Sequence, residues 1–271
     1  MKVFAIRDEF DTSNKNLAYL FYYENEKKFY IELPEDADPW ETPLLLSSFL
    51  KRGQKTVNSY WSLMWVRQRI VPSDRQNLGQ ILKENGLEEY DEFELLMLAN
   101  GRCAQDDYYL TLLSEEQLPR EFLGRYQKRI EDVVPLKEGN LLVFFREGSL
   151  KKVNVKDIFK NDVRFAAIMN RKDLFEKVRI QTGGYGIYWN EQITIADEVL
   201  YKNGVDIPLT LGDFRSFVSN RVVNTAEVME LLECSRQNVN DLVKRGKLTP
   251  VKKNQKNTLF LKSEVLQRKW S

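Results

Sequence analysis

The stretch "NTAEVMELLECSRQNVNDLVKRGKL", Asn224 to Leu248, reads as two short amphipathic helices around a tight corner. Asn224 is a helix cap, and Glu227 stands at the capping-box position three residues on. Val228, Leu231 and Leu232 share one face of the first helix. Glu233 and Cys234 make the corner and Ser235 caps the second helix, where Val239, Leu242 and Val243 repeat the i, i+3, i+4 spacing. Six apolar residues so placed let the helices pack on each other, as a helix-turn-helix requires. Gly246 ends the second helix.

Arg236, Gln237, Asn240, Lys244 and Arg245 point away from that apolar stripe. Gln and Asn make paired hydrogen bonds to adenine, and Arg does so to guanine. Ser235, at the helix N-terminus, can offer its hydroxyl and free backbone N–H groups to a phosphate. Beyond Lys247, "LTPVKKNQKNTLFLK" reads as a basic hairpin with Lys252, Lys253 and Lys256 near its tip. Ser263 then caps a closing helix, "EVLQRKW".

The whole chain carries a net charge of +1, but from Ser219 to Ser271 eleven Lys/Arg face five Asp/Glu, a local +6 that leaves −5 elsewhere. Basic charge concentrated on one module is the footprint of phosphate contacts. Double-stranded DNA is therefore the expected partner, contacted through Ser235, Arg236, Gln237, Asn240, Lys244, Arg245, Lys247, Lys252, Lys253 and Lys256. The plainer reading of the same residues is a helical hairpin with a solvated basic face, or a protein-docking surface without DNA. Asp241 favours that plainer reading, because an acid there repels phosphate unless it pairs with Lys244 or Arg245.

Composition sets wider bounds. The chain has 271 residues, 42% hydrophobic and 30% charged, enough for two or three modest domains and typical of a soluble globular protein. Cys103 and Cys234 are far apart and lack metal-ligand spacing, so no disulfide framework is expected and a reducing cytoplasm is the natural setting. The opening "MKVFAIRDEF" becomes charged too soon for a secretory signal, and no apolar run approaches the ~20 residues of a membrane helix. The count of histidines is 0, which removes Ser–His and Cys–His catalytic pairs and the common His-containing metal sites. We therefore expect neither an enzyme nor a cofactor or metal.

Upstream, "KVFAI", "LAYLFYY" and "KFYIEL" are strand-like, the last two forming a hairpin around "ENEKK". In "DADPWETPLLLSSFL" the spacing predicts a helix capped by Asp38, with Pro39 first and Glu41 in a capping box. "VNSYWSLMWVRQRI" reads as a helix ending at Pro72, its aromatic residues serving the core. "SDRQNLGQILKENGL" reads as one capped by Ser73 and closed at Gly86, with Leu78, Ile81 and Leu82 on one face. "DEFELLMLAN" stops at Gly101.

From about Val133, "NLLVFFREGSLKKVNV" is a hairpin turning at "REGS". "DIFKNDVRFAAIM" is helical, "FEKVRIQ" and "YGIYWN" are strands around "TGG", and "TIADEVLYKNG" is a short helix stopped by Gly204. "NGVDIPLTLGDFRSF" leads into the last segment. The glycines of "QTGGYGIYW" precede a strand and so form a turn, since a phosphate loop must open a helix. Asp106 and Asp107 in "CAQDDYYL" are neighbours in an extended chain and point to opposite sides, which suits a surface loop and not a catalytic pair.

Three resemblances follow from these residues. "NTAEVMELLECSRQNVNDLVKRGKLTPVKK…LFLKSEVLQRKW" resembles the winged helix-turn-helix of excisionases and MerR-type regulators. That resemblance implies that Ser235, Arg236, Gln237 and Asn240 meet the major groove, while Lys252, Lys253 and Lys256 are wing contacts to the backbone. MerR-type regulators carry this module first and a long dimerising coiled coil after it. Here it lies last, so an effector-sensing mechanism of that kind is not expected.

"LLVFFREGSLKKVNV…LFEKVRIQTGGYGIYWNEQITIADEVLYKNG" resembles the small bacterial domain of unknown function DUF2442. This implies a compact α+β unit that recurs beside DNA-binding modules and in presumed toxin–antitoxin operons, with no catalytic residues. "WVRQRIVPSDRQNLGQILKENGLEEYDEFELLMLANGRCAQDDYYL" resembles an N-terminal segment of some Firmicute HipA-like kinases, without the kinase core.

The expected architecture is α+β multidomain: a small sheet plus helical cluster, then a compact α+β domain, then a winged helix-turn-helix. The expected divisions are residues 1–130, an N-terminal α+β domain that binds protein; 131–215, a small α+β domain of unknown function; and 220–271, the DNA-binding module. The expected function is an antitoxin-like, homodimeric transcriptional regulator of its own operon that also holds a cognate toxin protein. The alternative is an interaction adaptor that binds no DNA.

Overall fold

The computed structural model describes the chain apart from Asn14, Asn161, Asn170, Gln255, Lys256, Trp270 and Ser271, and apart from the side chains of Glu115, Met169, Lys172, Gln267 and Lys269. It is an α+β multidomain protein of two compact units, Met1–Glu147 with Val153–Gly204, and Gly148–Lys152 with Val205–Ser271.

The first unit opens with β1 (Lys2–Asp8), β2 (Ala18–Tyr23) and β3 (Lys28–Glu32). Their apolar residues run without alternation because both faces of the sheet are covered. Phe4, Ile6, Leu20, Tyr22 and Ile31 pack beneath the helices, while Val3, Tyr19, Phe21 and Tyr30 pack against Phe122 and Tyr185. The covering helices are α1 (Leu44–Leu50), α2 (Ser59–Arg67), α3 (Leu78–Glu84) and α4 (Glu92–Leu98), with β4 (Thr56–Val57) between the first two. With β5 (Tyr108–Leu113), the antiparallel sheet has the order β4-β3-β2-β1-β5.

Three helix starts differ from the sequence expectation. Asp38 takes the Trp40 N–H at 2.7 Å, and its carbonyl takes Thr42 Oγ1 at 2.7 Å, so residues 38–42 form a turn and α1 begins after Pro43. Thr42 precedes that proline, a position biased away from helix. Val57 belongs to strand β4, and Asn58 caps α2 by accepting the Trp61 N–H at 3.1 Å. Ser73 lies in a turn and α3 starts after Asn77, whose side chain accepts from Arg75 Nε at 3.0 Å and makes no cap. "CAQDDYYL" is a turn only as far as Asp107, since Tyr108 begins β5.

The chain continues through α5 (Arg120–Gln127), β6 (Ile130–Pro135), β7 (Asn140–Phe145), β8 (Leu150–Asn154), α6 (Val155–Ile158), α7 (Val163–Met169) and α8 (Lys172–Phe175). It reaches β9 (Arg179–Ile180), β10 (Gly186–Asn190), β11 (Ile193–Ala196) and α9 (Asp197–Asn203). β6 and β7 pair antiparallel, and the later strands form a sheet of order β11-β10-β9. Their core includes Ile130, Leu141, Val143, Phe145, Phe165, Phe175, Ile187, Ile195 and Leu200.

"FEKVRIQ" is strand only at Arg179–Ile180: Phe175 ends α8, and its carbonyl takes the Trp189 Nε1–H at 2.9 Å. Ile193–Ala196 alternates buried with exposed residues as strand β11, so the helix begins at Asp197. The glycines of "TGG" do form a turn, with Gly183 and Gly184 at φ +73° and +78°.

In the second unit β12 (Val205–Ile207) pairs antiparallel with residues 150–152 of β8, and Lys151 Nζ reaches Asp206 Oδ1 at 2.6 Å. Helix α10 (Leu211–Arg221) follows, then β13 (Val222–Asn224), α11 (Thr225–Leu232), α12 (Arg236–Lys244), β14 (Lys252–Lys253), β15 (Thr258–Leu261) and α13 (Lys262–Lys269). The sheet order is β13-β15-β14, over a core of Val223, Val228, Val239, Leu248, Phe260 and Val265. Among the described residues, no helix is long and apolar enough to cross a membrane.

Candidate nucleic-acid interface

Two caps fix the helices of the second unit. Asn224 Oδ1 accepts from the Ala226 and Glu227 N–H groups at 2.8 and 3.1 Å, and Glu227 Oε2 accepts from the Asn224 N–H at 2.7 Å, closing a capping box. Ser235 Oγ accepts from the Asn238 N–H at 3.3 Å. Between α11 and α12 the chain turns through Glu233, at φ +53°. An L-residue enters that left-handed region at a cost of roughly 1–2 kcal/mol, which helix packing on both sides must offset.

Val239 is buried, while Leu242 and Val243 are half-buried against the same core. With that stripe turned inward, Ser235, Arg236, Gln237, Asn240, Lys244, Arg245 and Lys247 are all exposed. Among the described residues no hydrogen bond or ion pair occupies the side chains of Arg236, Gln237, Asn240, Lys244 or Arg245. Asp241 is half-buried, and it pairs with neither Lys244 nor Arg245. Its negative charge therefore stays on the helix.

The segment after α12 is fastened to α13. Glu264 Oε1 accepts from the Thr249 N–H at 2.9 Å, and Arg268 Nε donates to the Lys247 carbonyl at 2.7 Å. Lys252 and Lys253 then pair with Leu259 and Thr258 across a hairpin, where the Asn254 side chain accepts the Asn257 N–H at 2.6 Å. Both lysines are exposed, whereas Lys256 lies outside the described residues. The nine described candidate contacts thus divide between one helix with its immediate end and one hairpin. Their chemistry is that of donors to phosphate and base edges.

A second constellation, absent from the sequence reading, lies inside the first unit. Arg129 is 2% exposed; its Nη2 donates to Glu32 Oε1 and its Nη1 to Asp197 Oδ2, both at 2.7 Å. The Tyr185 hydroxyl donates to Glu32 Oε1 at 2.8 Å, the guanidinium lies 3.7 Å from the Tyr185 ring centroid, and that ring stacks on Tyr30 at 3.9 Å. Arg129 therefore meets two buried carboxylates, with one face on an aromatic ring, and Arg125 Nη1 adds a contact to Glu32 Oε2 at 3.4 Å.

Burial pushes the Asp197 carboxyl up to about 6, against the opposing pull of Arg129. Burial likewise drives the Tyr185 hydroxyl well above its ordinary value, reinforced by the Glu32 charge. For Arg129, burial works against the charge, but Tyr185, Glu32 and Asp197 together hold it above the usual guanidinium range. Asp197 borders a cleft of about 320 Å³ lined also by Tyr30, Lys55, Gln181 and Glu198. No pattern of spacing points to this group, since its hydrogen-bonded pairs are separated by 68 to 153 residues.

Residues 130–206, which hold Tyr185 and Asp197, match the model of a family described as protein of unknown function (DUF2442). The match covers the segment from β6 to β12. No curated protein matches the chain, and no solved structure does.

Proposed function

We propose that this chain is a cytoplasmic, DNA-binding transcriptional regulator that acts through the second unit. The observation that carries the reading is the exposed side of α12. Arg236, Gln237, Asn240, Lys244 and Arg245 stand there without partners among the described residues, on a helix anchored by Val239 and capped by Ser235. The order of helix, corner, helix, basic hairpin and closing helix supports its resemblance to a winged helix-turn-helix of the excisionase and MerR type. In that role α12 enters the major groove, Ser235 meets a phosphate, and Lys247, Lys252 and Lys253 add backbone contacts.

Two half-sites read by a homodimer supply the affinity that one small module lacks. The mechanism is steric occupation of a promoter, without catalysis. The antitoxin-like assignment, with a toxin held by the first unit, draws on the DUF2442 and HipA-like resemblances.

A gel shift with the DNA upstream of the coding sequence tests the proposal. A complex at low salt that weakens with Arg236→Ala and Gln237→Ala is expected. Absence of a shift at low salt, or one indifferent to both substitutions, overturns it.

One observation favours the adaptor reading. Trp40 and Leu44 are each 87% exposed, and Tyr60 and Trp61 are exposed on α2. Large exposed apolar side chains mark protein-binding surfaces. An adaptor would use that surface and leave DNA unbound, so the same gel shift separates the two.

A further inference from the structure

Helix α10 has no buried residue, although it carries four large apolar side chains. Leu211 and Phe214 are half-buried, while Phe217 and Val218 are 51% and 54% exposed. At 100° per residue these four fall within one stripe, with Arg221 inside it and Ser216 on the opposite side. The N-terminus is closed by a complete capping box: the Asp213 N–H donates to Thr210 Oγ1 at 3.2 Å, and Asp213 Oδ2 accepts the Thr210 N–H at 2.7 Å. Even a well-capped helix of 11 residues is marginal in water unless its apolar face is covered.

We infer that the exposed end of the α10 stripe, Phe217 and Val218, is a self-association surface whose occupant is α10 of a second copy of this chain, laid antiparallel about Phe217. Charge decides the occupant. Asp213 and Arg221 each lie four residues from Phe217, on opposite sides. A twofold axis through Phe217 therefore sets each Asp213 against Arg221 of the other copy, giving two ion pairs around an apolar centre. Asp213 and Arg221 also lie towards the same edge of the stripe, which antiparallel helices bring together. Such an interface is isologous and closes at a dimer. Asn220 does not compete, because its side chain turns back to the Ser216 carbonyl at 2.7 Å. This pairing stands apart from DNA binding, since it is read in the absence of DNA.

The test is sedimentation equilibrium of the full chain over a wide concentration range. The expected species has twice the 32.0 kDa chain mass. Phe217→Asp raises the dimer dissociation constant roughly tenfold or more, and Arg221→Glu weakens the dimer most at low salt. Circular dichroism of both variants matches the parent, because both side chains are exposed and join no hydrophobic core among the described residues.

A geometric check uses a chain whose Cys103 and Cys234 are serine. In that background Phe217→Cys is cross-linked by a short bismaleimide, and Ser216→Cys is not. A mass of one chain at every concentration overturns the inference. So does a dimer indifferent to Phe217→Asp, or equal cross-linking from the two positions. A dimer that fails to shift DNA would overturn the DNA reading and leave this pairing standing.

Discussion

Arg129 Nη1 lies 2.7 Å from Asp197 Oδ2, a contact between residues 68 positions apart whose side chains are only 2% and 6% exposed. The same guanidinium holds Glu32 on β3, so a single side chain ties the first sheet to the start of α9.

Arg129→Met leaves the buried Asp197 without a cation and leaves Glu32 with only Arg125, whose Nη1 lies 3.4 Å from Glu32 Oε2. We expect a loss of about 3–5 kcal/mol, the range for removing one partner of a buried pair, measured by urea unfolding followed by circular dichroism. Arg129→Lys recovers only part of that loss, because a point charge cannot fork to both carboxylates.

The raised pKa of Asp197 has a definite sign. Between its ordinary value of 3.8 and about 6, the folded state holds the proton more tightly than the unfolded chain does. The stabilising contribution is therefore complete below 3.8 and is lost as pH rises through about 6. Asp197→Asn should flatten this part of the stability profile, read from urea midpoints at several pH values. An unchanged slope would refute the assignment.

Gly184 and Gly246 both have positive φ, +78° and +66°. Alanine at either should cost roughly 1–2 kcal/mol for the left-handed backbone. At Gly184 a Cβ would also stand 2.4 Å from the Ile130 carbonyl oxygen, whereas at Gly246 it meets nothing within 4 Å. Gly184→Ala should therefore be the more destabilising by about 1–3 kcal/mol. Thermal unfolding of the two variants makes the comparison.

Lys252 and Lys253 carry the ionic part of the proposed DNA contact. Lys252→Ala and Lys253→Ala should each lower the slope of log affinity against log salt by about 1, with little change in sequence preference. Fluorescence anisotropy of labelled duplexes over a salt series measures both.

What could be read from the sequence was local. Asn224 with Glu227, and Ser235, mark α11 and α12 because capping groups lie within three residues of the bonds they make. The same signals mislead at Asp38, whose side chain shapes a turn ahead of Pro43, and at Ser73, which lies in a turn ahead of Asn77. Helix α10 had a usable signal in Thr210 and Asp213, but "LTLGDFRSF" lacks the long apolar period that draws attention. Asp106 depends on a distant partner: Arg69 Nη2 meets it at 2.6 Å from 37 residues away. The Glu32–Arg129–Asp197 group is likewise assembled by tertiary folding alone.

The stacking of Tyr185 and its hydrogen bond to Glu32 impose a schedule on synthesis. Glu32 leaves the ribosome 153 residues before Tyr185, an interval of roughly 8–30 s at common translation rates. During that time the carboxylate at the end of β3 has neither Tyr185 nor, at first, Arg129. Phe122 of α5 can cover Tyr19 and Phe21 early. Tyr30 must wait for Tyr185 and the DUF2442-like segment, an interval in which that part of the sheet stays open to aggregation and to chaperones.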